Sequence, residues 1–492
     1  MTEPRNKLFI DGKWTDSSDG KTLSVLDPST NSEITRVAAA TAADVGLAAE
    51  AARRCFESGA WSGLTVYQRS AILHKVAELI AQRAETLAEL ESRDVGKPLV
   101  ESRNIDVASG AATFSHFADL AVDICGETIP GPFNEVLSYT VHEPIGVVGA
   151  IIPWNFPFLI ACRKLGSALA AGNCVVIKPA TWAPLSTLTL GDIFNEAGLP
   201  PGAVNVVTGA GATVGSALLA HPVIHDVSFT GSTEVGHAVM EGCARHLKGC
   251  GLELGGKSPA VVLPDCNMDE TIAGTLFGAY LNQGECCCAA TRMLVHEAVY
   301  DHFVERFVAG SRAIKVGMPL EEGVQHGPLV HADHLQSVLK YVAAGKQEKA
   351  KLACGGEVLT EAPLDKGNFL PPTVFVDVDP DAAISREEVF GPVVVISKAA
   401  SEEDLVRLAN DTNYGLAASI WTTNLKAGHR LASQIRAGTV WMNLHNFVFP
   451  SVPYGGYKDS GIGRELGREG LLALTQTKSV MLSLFQPGFQ WY

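Results

Sequence analysis

Apolar residues recur at helical spacing in the N-terminal part of the chain. Between residues 67 and 90, apolar side chains follow each other at steps of three and four, with Arg83, Glu85 and Glu89 at the opposite positions. Because residues three and four apart share one helix face, this segment predicts an amphipathic helix. Residues 42–57 have a similar pattern and predict another helix.

From residue 145 onward, short apolar runs alternate with segments of helical length. The runs lie at 145–152, 174–178, 204–207, 226–229 and 259–263, and the longer segments lie at 159–171, 185–197, 212–220 and 233–247. Each run is too continuous for a strand with one face in water. Buried strands that alternate with helices predict βαβ units, and therefore an α/β fold with a parallel sheet that is covered on both faces.

A second α/β region extends from about residue 270 to 460, with the apolar runs RMLVH, TVFVDV, PVVVIS, AASIWT and TVWMN. Two segments outside both regions, 135–144 and 478–484, alternate between apolar and polar residues, which is typical of strands. The pattern therefore predicts two α/β regions and a small separate β element.

The size and charge of the chain limit its organisation and its partners. A chain of 492 residues exceeds one hydrophobic core, so two or three domains are expected. The net charge is −15 and its charges are interspersed, so neither nucleic acid nor an anionic membrane is expected as the main partner. The polar start and the short apolar runs predict no signal peptide and no membrane span. Eleven cysteines without framework spacing indicate a reducing compartment, and we expect a cytoplasmic protein.

Three cysteines stand in a row, Cys286, Cys287 and Cys288, within the sequence NQGECCCAA. Adjacent cysteines form a disulfide only with strain. A zinc site needs thiolate pairs separated by short loops, which the other eight cysteines do not provide, so no metal site is predicted. The residues alone leave two interpretations open: a nucleophile with two neighbours, or three buried thiols.

Two glycine-containing loops are candidates for phosphate binding. Residues 207–215 have the spacing G-x-G-x₃-G, and residues 229–236 end a predicted strand and open a predicted helix with Gly231 and Ser232. Backbone N–H groups at a helix start can bind phosphate. Glycine in such loops is equally consistent with plain turn chemistry.

Seven motifs in a fixed order carry a resemblance over essentially the whole chain. They are PWNFP (153–157), KPA (178–180), FTGSTEVG (229–236), LELGGKSP (252–259), NQGECC (282–287), EEVFGPV (387–393) and PYGGYKDSGIGRELG (453–467). Together they closely resemble the aldehyde dehydrogenase superfamily, in its hydrolytic, non-acylating branch. The resemblance implies oxidation of an aldehyde to the carboxylic acid with NAD(P)⁺.

The resemblance also implies a fold of three parts. It implies a Rossmann-like parallel-sheet cofactor domain over residues 1–123 and 145–255, and an α/β catalytic domain over residues 256–460. A small β oligomerisation element would comprise residues 124–144 and 461–492. In the family this element joins subunits, so a homodimer or homotetramer is expected.

For catalysis, the resemblance implies that Cys287 is the nucleophile, because the family nucleophile aligns with the middle cysteine. A thiolate attacks an aldehyde readily, and the thioester formed later is easily hydrolysed. Asn155 would donate to the oxyanion, together with the backbone N–H of the cysteine. Glu253 would activate the water that hydrolyses the thioester. Without the resemblance, Asn155 is a turn residue and Glu253 a surface carboxylate.

For the cofactor, the resemblance implies that Lys178 holds the adenosine ribose, Ser232 the pyrophosphate and Glu388 the nicotinamide ribose. The family's NAD-preferring pattern has glutamate three residues after the lysine, where this chain has Thr181. Without that charge a 2′-phosphate is not repelled, so we expect NAD with NADP tolerated. The residues expected at the cofactor are Ile151, Trp154, Lys178, Thr181, Gly211, Gly231, Ser232, Val235, Leu254, Glu388 and Phe390.

For the substrate, the resemblance implies a mostly apolar tunnel. The expected residues are Phe156, Arg163, Leu281, Cys286, Cys288, Phe447, Val448, Phe449 and Tyr454. Arg163 resembles the succinate-semialdehyde and lactaldehyde branches, where arginine can meet a carboxylate or hydroxyl of the substrate. The alternative is that Arg163 pairs with a carboxylate of the protein. A small polar or acidic aldehyde and a medium apolar or aromatic one both remain open.

Two other functions are alternatives. A coenzyme A-acylating aldehyde dehydrogenase would lack the deacylating glutamate, whereas Glu253 is present. A non-enzymatic structural use of the fold tends to lose the nucleophile or the base, and neither Cys287 nor Glu253 is missing.

Overall fold

A computed structural model describes residues 4–348, 350–486 and 488. Its strands are β1 (Leu8–Ile10), β2 (Lys13–Thr15), β3 (Thr22–Asp27), β4 (Ser32–Ala38), β5 (Thr128–Ile129), β6 (Val136–Pro144), β7 (Val147–Ile151), β8 (Cys174–Lys178), β9 (Val204–Val206), β10 (Ile224–Thr230), β11 (Gly249–Glu253), β12 (Ser258–Val262), β13 (Ala290–His296), β14 (Lys351–Cys354), β15 (Thr373–Val376), β16 (Val393–Ala399), β17 (Tyr414–Gly415), β18 (Ala417–Trp421), β19 (Thr439–Met442), β20 (Tyr457–Lys458), β21 (Gly461–Ile462) and β22 (Thr475–Ser483).

Its helices are α1 (Ala42–Glu57), α2 (Val66–Gln82), α3 (Ala84–Val95), α4 (Leu99–Glu101), α5 (Ala108–Leu120), α6 (Pro157–Ala170), α7 (Leu185–Ala197), α8 (Ser216–Ala220), α9 (Thr233–Arg245), α10 (Met268–Tyr280), α11 (Tyr300–Ala313), α12 (Ala332–Gln347), α13 (Ala383–Arg386), α14 (Glu402–Asn410), α15 (Leu425–Gln434) and α16 (Gly467–Leu472).

An eight-stranded sheet contains the first series of predicted strands. Its order is β2-β1-β9-β8-β7-β10-β11-β21, and the five strands from β9 to β11 run parallel to one another. Every residue of β7 and β8 is buried. The runs that form β7, β8, β9 and β12 are therefore buried on both faces, as predicted, whereas β10 alternates buried with partly exposed residues, so the prediction was wrong for the run 226–229. The connecting helices, such as α7, bring the chain back to start each parallel strand.

A seven-stranded sheet contains the second series, in the order β14-β15-β16-β13-β12-β18-β19. All neighbours in it are parallel except β14 and β15. Both large sheets are thus of the open parallel kind, in which ligands bind outside the carboxyl ends of the strands. The α/β fold class predicted from the sequence is confirmed.

A separate three-stranded sheet, β22-β6-β5, contains the two segments predicted to lie outside the α/β regions. Strands β6 and β22 pair antiparallel over nine residues, from Thr475 opposite Pro144 to Ser483 opposite Val136. This sheet carries exposed apolar side chains, including Met481, which is 76% exposed. The strand pair is present, while the domain limits drawn from the sequence remain predictions.

The segment 67–90 forms two helices, so the prediction of one helix there was wrong. Helix α2 ends at Gln82 and α3 begins at Ala84, because the backbone of Arg83 leaves helical geometry with φ −106° and ψ 13°. The N–H of Arg83 donates to the carbonyl of Ile80 in a tighter last turn. Side-chain spacing continues across this break, so periodicity did not reveal it.

Within the part of the chain that the structure describes, no helix is both long and apolar enough to cross a bilayer.

Candidate active site

The three cysteines follow a turn with unusual backbone geometry. Asn282 and Gln283 have positive φ angles of 49° and 56° in the turn Leu281–Gly284. The carboxylate of Glu101 accepts a hydrogen bond from the Asn282 N–H at 2.9 Å. A positive φ is costly for a residue other than glycine, so the surrounding contacts must hold this turn in place. The turn sets the direction in which the following cysteines point.

Only the middle cysteine of the three is partly accessible. Cys286 and Cys288 are buried, and their sulfur atoms lie 3.5 Å apart. Cys287 is partly exposed, and its Sγ lies 3.9 Å from the hydroxyl of Tyr454. The contact with Cys286 lowers the pKa of Cys287, but the contact with Cys288 and burial outweigh it and raise this pKa to about 12. The thiol therefore needs a nearby positive charge to become a thiolate at neutral pH.

Asn155 lies beside the cysteines in the loop between β7 and α6. Its side chain is buried, with 2% of the residue exposed. Its Nδ2 donates to the carbonyl oxygen of Glu285 at 2.8 Å, and its own carbonyl accepts from Asn282 Nδ2 at 2.9 Å. These two bonds tie Asn155 to the turn that carries the cysteines. An amide nitrogen has two hydrogens, so one remains for another acceptor.

Glu253 ends strand β11 and is not a surface carboxylate. The residue is 5% exposed, and its Oε2 has no hydrogen-bond partner among the described residues. Burial, followed by the charge of Glu465, raises the pKa of Glu253 well above its ordinary value. A Cβ at Gly455 would lie 2.8 Å from Glu253 Oε1, so a larger residue there would press on the carboxylate. A buried carboxyl group with a raised pKa is suited to proton transfer.

A cavity of about 70 Å³ opens at Cys287. Most of the residues predicted for the substrate tunnel line it, together with five that were not predicted. The predicted residues are Phe156, Arg163, Leu281, Cys286, Cys288, Val448 and Tyr454, and the others are Ile105, Ser109, Leu159, Ile160 and Asn446. Two predicted residues, Phe447 and Phe449, do not line it and lie half-exposed, with ring centres 6.5 Å apart.

Arg163 contributes the one arginine among the residues that line this cavity. Its backbone carbonyl accepts from Ser167, but its guanidinium has no ion pair or hydrogen bond to any described residue. Burial raises the pKa of the Asp106 carboxyl and the charge of Arg163 opposes this rise, but the two groups form no ion pair or hydrogen bond among the described residues. A guanidinium that keeps its five donors free is suited to bind a carboxylate.

A second, larger cleft of about 680 Å³ runs along the carboxyl ends of β7, β8 and β10. Eight of the residues predicted for the cofactor line it: Ile151, Trp154, Lys178, Thr181, Gly211, Gly231, Ser232 and Val235. The other three do not line it, and among them Phe390 contacts a lining residue, Trp154. Phe390 lies 5.2 Å from Trp154 between ring centres, Leu254 packs against Gly236 of α9, and Glu388 accepts a hydrogen bond from the Gly256 N–H at 2.8 Å.

The cleft has the chemical features that a dinucleotide needs. Ser232 caps α9, and its hydroxyl accepts from the N–H of Val235 at 3.3 Å, so the helix start faces the cleft. Burial lowers the pKa of Lys178 to about 8. The hydroxyl of Thr181 donates to the Gly209 carbonyl at 3.3 Å. Among the described residues, no carboxylate lines this cleft. The residues fit a nicotinamide dinucleotide, and nothing acidic there would repel an added phosphate.

Several residues near these sites were not predicted from the sequence, among them Asn446, Trp182 and His334. Asn446 accepts from the Cys288 thiol at 3.3 Å, Trp182 lines the cofactor cleft, and His334 lies 4.9 Å from Trp154 between ring centres. Asn446 and Trp182 are adjacent in the sequence to predicted site residues, and this adjacency could have indicated that they lie near the sites. No feature of the sequence marked His334, which belongs to a different domain region from its ring partner.

Comparison with known proteins places the chain in a family. The model of the aldehyde dehydrogenase family matches residues 14–480. The chain is 43% identical over 480 residues to retinaldehyde dehydrogenase 3 of Homo sapiens, covering 97% of this chain and 93% of that one. It is 42% identical over 484 residues to aldehyde dehydrogenase family 2 member B4 of Arabidopsis thaliana, covering 98% and 89%. The structure of an NAD⁺ complex of aldehyde dehydrogenase from Bacillus cereus superposes with a TM-score of 0.95, at 42% identity over 97% of this chain and 96% of that chain. The chain belongs to the aldehyde dehydrogenase family, and it is an oxidoreductase that oxidises an aldehyde with NAD.

Proposed function

We propose that the protein oxidises a small aldehyde with an anionic or polar group, with Cys287 as nucleophile, Asn155 as oxyanion donor and Glu253 as base. The observation that carries this proposal is the cavity itself. Cys287, the partly exposed cysteine, and Arg163, whose guanidinium forms no ion pair among the described residues, both line this cavity of about 70 Å³. So small a cavity favours a short substrate, and Arg163 favours one with a carboxylate or hydroxyl.

The first half of the reaction forms a thioester on Cys287. Its sulfur, as the thiolate, adds to the aldehyde carbon, the carbonyl oxygen becomes an oxyanion, and the carbon then loses its hydrogen as hydride when the oxyanion collapses to the thioester. The free amide hydrogen of Asn155 and the Cys287 backbone N–H stabilise this charge, and the Glu285 carbonyl holds the amide in place. Bound NAD would supply a hydride acceptor and a positive charge beside the sulfur.

The second half of the reaction hydrolyses the thioester. Glu253 takes a proton from water, whose oxygen attacks the acyl carbon and breaks the carbon–sulfur bond, which releases the acid and the Cys287 thiolate. Its Oε2 has no partner among the described residues, so it is free to accept that proton. Glu253 also makes acyl transfer to coenzyme A unexpected, because coenzyme A-acylating enzymes would lack the deacylating glutamate. A simple assay separates the two: reduced cofactor should form from the aldehyde without added coenzyme A, and added coenzyme A should yield no acyl-coenzyme A.

Substitution of Arg163 tests the substrate class. We expect Arg163→Gln to lower kcat/KM about tenfold or more for a semialdehyde with a terminal carboxylate, because a charged hydrogen bond contributes about 1.5–3 kcal/mol. For a neutral aldehyde of the same length, the same substitution should lower kcat/KM only slightly. Arg163→Lys keeps the charge, so its kcat/KM for the semialdehyde should lie between those of the wild type and Arg163→Gln. An equal loss for both aldehydes, or a wild-type preference for aromatic aldehydes, would contradict this substrate class.

Substitution of Thr181 tests the choice of cofactor. We expect the wild-type preference between NAD and NADP to be on the order of tenfold, because the cleft contains no carboxylate to repel the phosphate. Lys178 could pair with that phosphate. Thr181→Glu should turn the enzyme toward NAD, whereas Thr181→Gln, of the same size without the charge, should not. A wild-type preference for NAD of roughly a thousandfold, about 4 kcal/mol, would contradict the argument.

We also propose that the sheet β22-β6-β5 joins subunits into a homodimer or homotetramer in the cytoplasm. Exposed apolar residues on a small sheet favour a partner. Light scattering should therefore give at least twice the chain mass of 52.0 kDa. Met481→Asp should shift the protein toward the monomer, and Tyr67→Asp, at an equally exposed position on α2, should not. A wild-type monomer at micromolar concentration would refute the proposal.

A further inference from the structure

His334 lies where the cofactor side and the thiol side of the active site meet. It belongs to the first turn of α12, and its side chain is 12% exposed. Its ring packs edge-on against Trp154, at 4.9 Å between centres, and lies 6.1 Å from Phe390. The steps proposed above assign no role to it.

On the cofactor side, His334 holds the backbone of Phe390. Its Nε2–H donates to the Phe390 carbonyl oxygen at 2.7 Å. Phe390 has a φ of 56°, a left-handed conformation that a bulky residue rarely adopts. Such a conformation persists only where neighbouring contacts hold it. The hydrogen bond from His334 is one such contact, and it lies two residues from Glu388.

On the thiol side, the same nitrogen lies 3.5 Å from Oε1 of Glu285. Glu285 is fully buried, and its Oε1 also accepts from the Val330 N–H at 3.0 Å. The carbonyl oxygen of Glu285 is the acceptor that orients the Asn155 amide, and Cys286 follows directly in the chain. A displacement of Glu285 would therefore move the oxyanion donor.

We propose that His334 is a positioning residue: it fixes Phe390 by its hydrogen bond, and its ring blocks displacement of Glu285, and through Glu285 of Asn155, by contact. This inference rests on the proposed function, because it assumes that Asn155 is the oxyanion donor and that Phe390 lies at the cofactor. Burial lowers the pKa of His334 to about 4, although its bond to Phe390 opposes this, so the ring is neutral at working pH and acts through one N–H donor. Catalytic groups must be held to within a fraction of an ångström, and His334 supplies that support from outside the reacting atoms.

The test compares substitutions that separate the donor from the packing. His334→Ala should lower kcat about tenfold to a hundredfold with little change in the KM for the aldehyde. His334→Phe keeps a ring against Trp154 but cannot donate a hydrogen bond to Phe390, so its kcat should fall by the same factor. His334→Gln can donate to the Phe390 carbonyl and should restore most of kcat. An aldehyde deuterated at its carbonyl carbon should show a larger isotope effect in the Ala and Phe enzymes, because the thioester-forming half slows.

A matched control variant shows how much of the effect comes simply from the loss of a buried histidine. His326 is also buried and neutral, its ring bonds to the backbone carbonyl of Leu370 at 2.9 Å, and among the described residues it has no hydrogen bond or ring contact with Trp154, Phe390 or Glu285. His326→Ala should lower the melting temperature about as much as His334→Ala, yet keep kcat. A wild-type kcat in His334→Phe, or no rescue by His334→Gln, would overturn the inference. If Cys287→Ala or Asn155→Ala keeps wild-type turnover, the proposed function itself fails instead.

Discussion

Cys287→Ala will oxidise no aldehyde, with kcat reduced on the order of 10⁴-fold or more, and it will still bind NAD. Cys287 is the only one of the three residues that is partly exposed, and it lines the cavity. Alanine removes the atom that forms the thioester and leaves the cofactor cleft unchanged. The measurement is the formation of reduced cofactor, with NAD binding followed separately by calorimetry.

The two neighbouring cysteines provide the matched controls. Cys286→Ala and Cys288→Ala remove a buried thiol of the same size, next to the same cavity. Both variants should keep turnover, with an altered KM at most, because neither sulfur is positioned as the partly accessible nucleophile. Turnover by Cys287→Ala, or loss of turnover in one of the flanking variants alone, would assign the chemistry to another residue.

Glu253→Gln will form the thioester and then stall. We expect a burst of reduced cofactor, about one per active site, followed by a steady rate lowered roughly 10²–10⁴-fold, because glutamine cannot accept a proton from water. Mass spectrometry of the intact chain should detect the acyl group on Cys287. A steady rate equal to that of the wild type would refute the role of Glu253.

The wild-type enzyme offers a second check of Glu253 through pH. Only the deprotonated carboxylate can accept a proton from water. Burial and the charge of Glu465 raise the pKa of Glu253, so the rate should fall, as pH is lowered, at a higher pH than an ordinary carboxyl would give. Glu253→Gln should lose this dependence in its slow phase. If the wild-type hydrolysis rate stays constant as the pH is lowered to the ordinary pKa range of a carboxyl group, Glu253 is not the general base.

Much of the fold was predictable because local sequence rules decide it. The apolar run 174–178 is β8 residue for residue, and the segment 185–197 is α7. Ser232 was predicted to open a helix, and it caps α9. In each case the chain's own spacing and cap chemistry specify the element. The break at Arg83 was not predictable, because apolar spacing continues across it while the backbone turns.

For the candidate site, too, some features followed from the sequence and others only from the tertiary structure. The sequence by itself determined the family, the order of the motifs and the kinds of group that meet: a thiol, an amide and a carboxylate. Only the tertiary structure decided which thiol of 286–288 is accessible, that Glu253 is buried, and that Arg163 has no partner among the described residues. Burial, pKa and pairing depend on atoms that arrive from distant parts of the chain, as when His334 meets Trp154. No local pattern encodes such distances, so they follow only from how the two sheets pack.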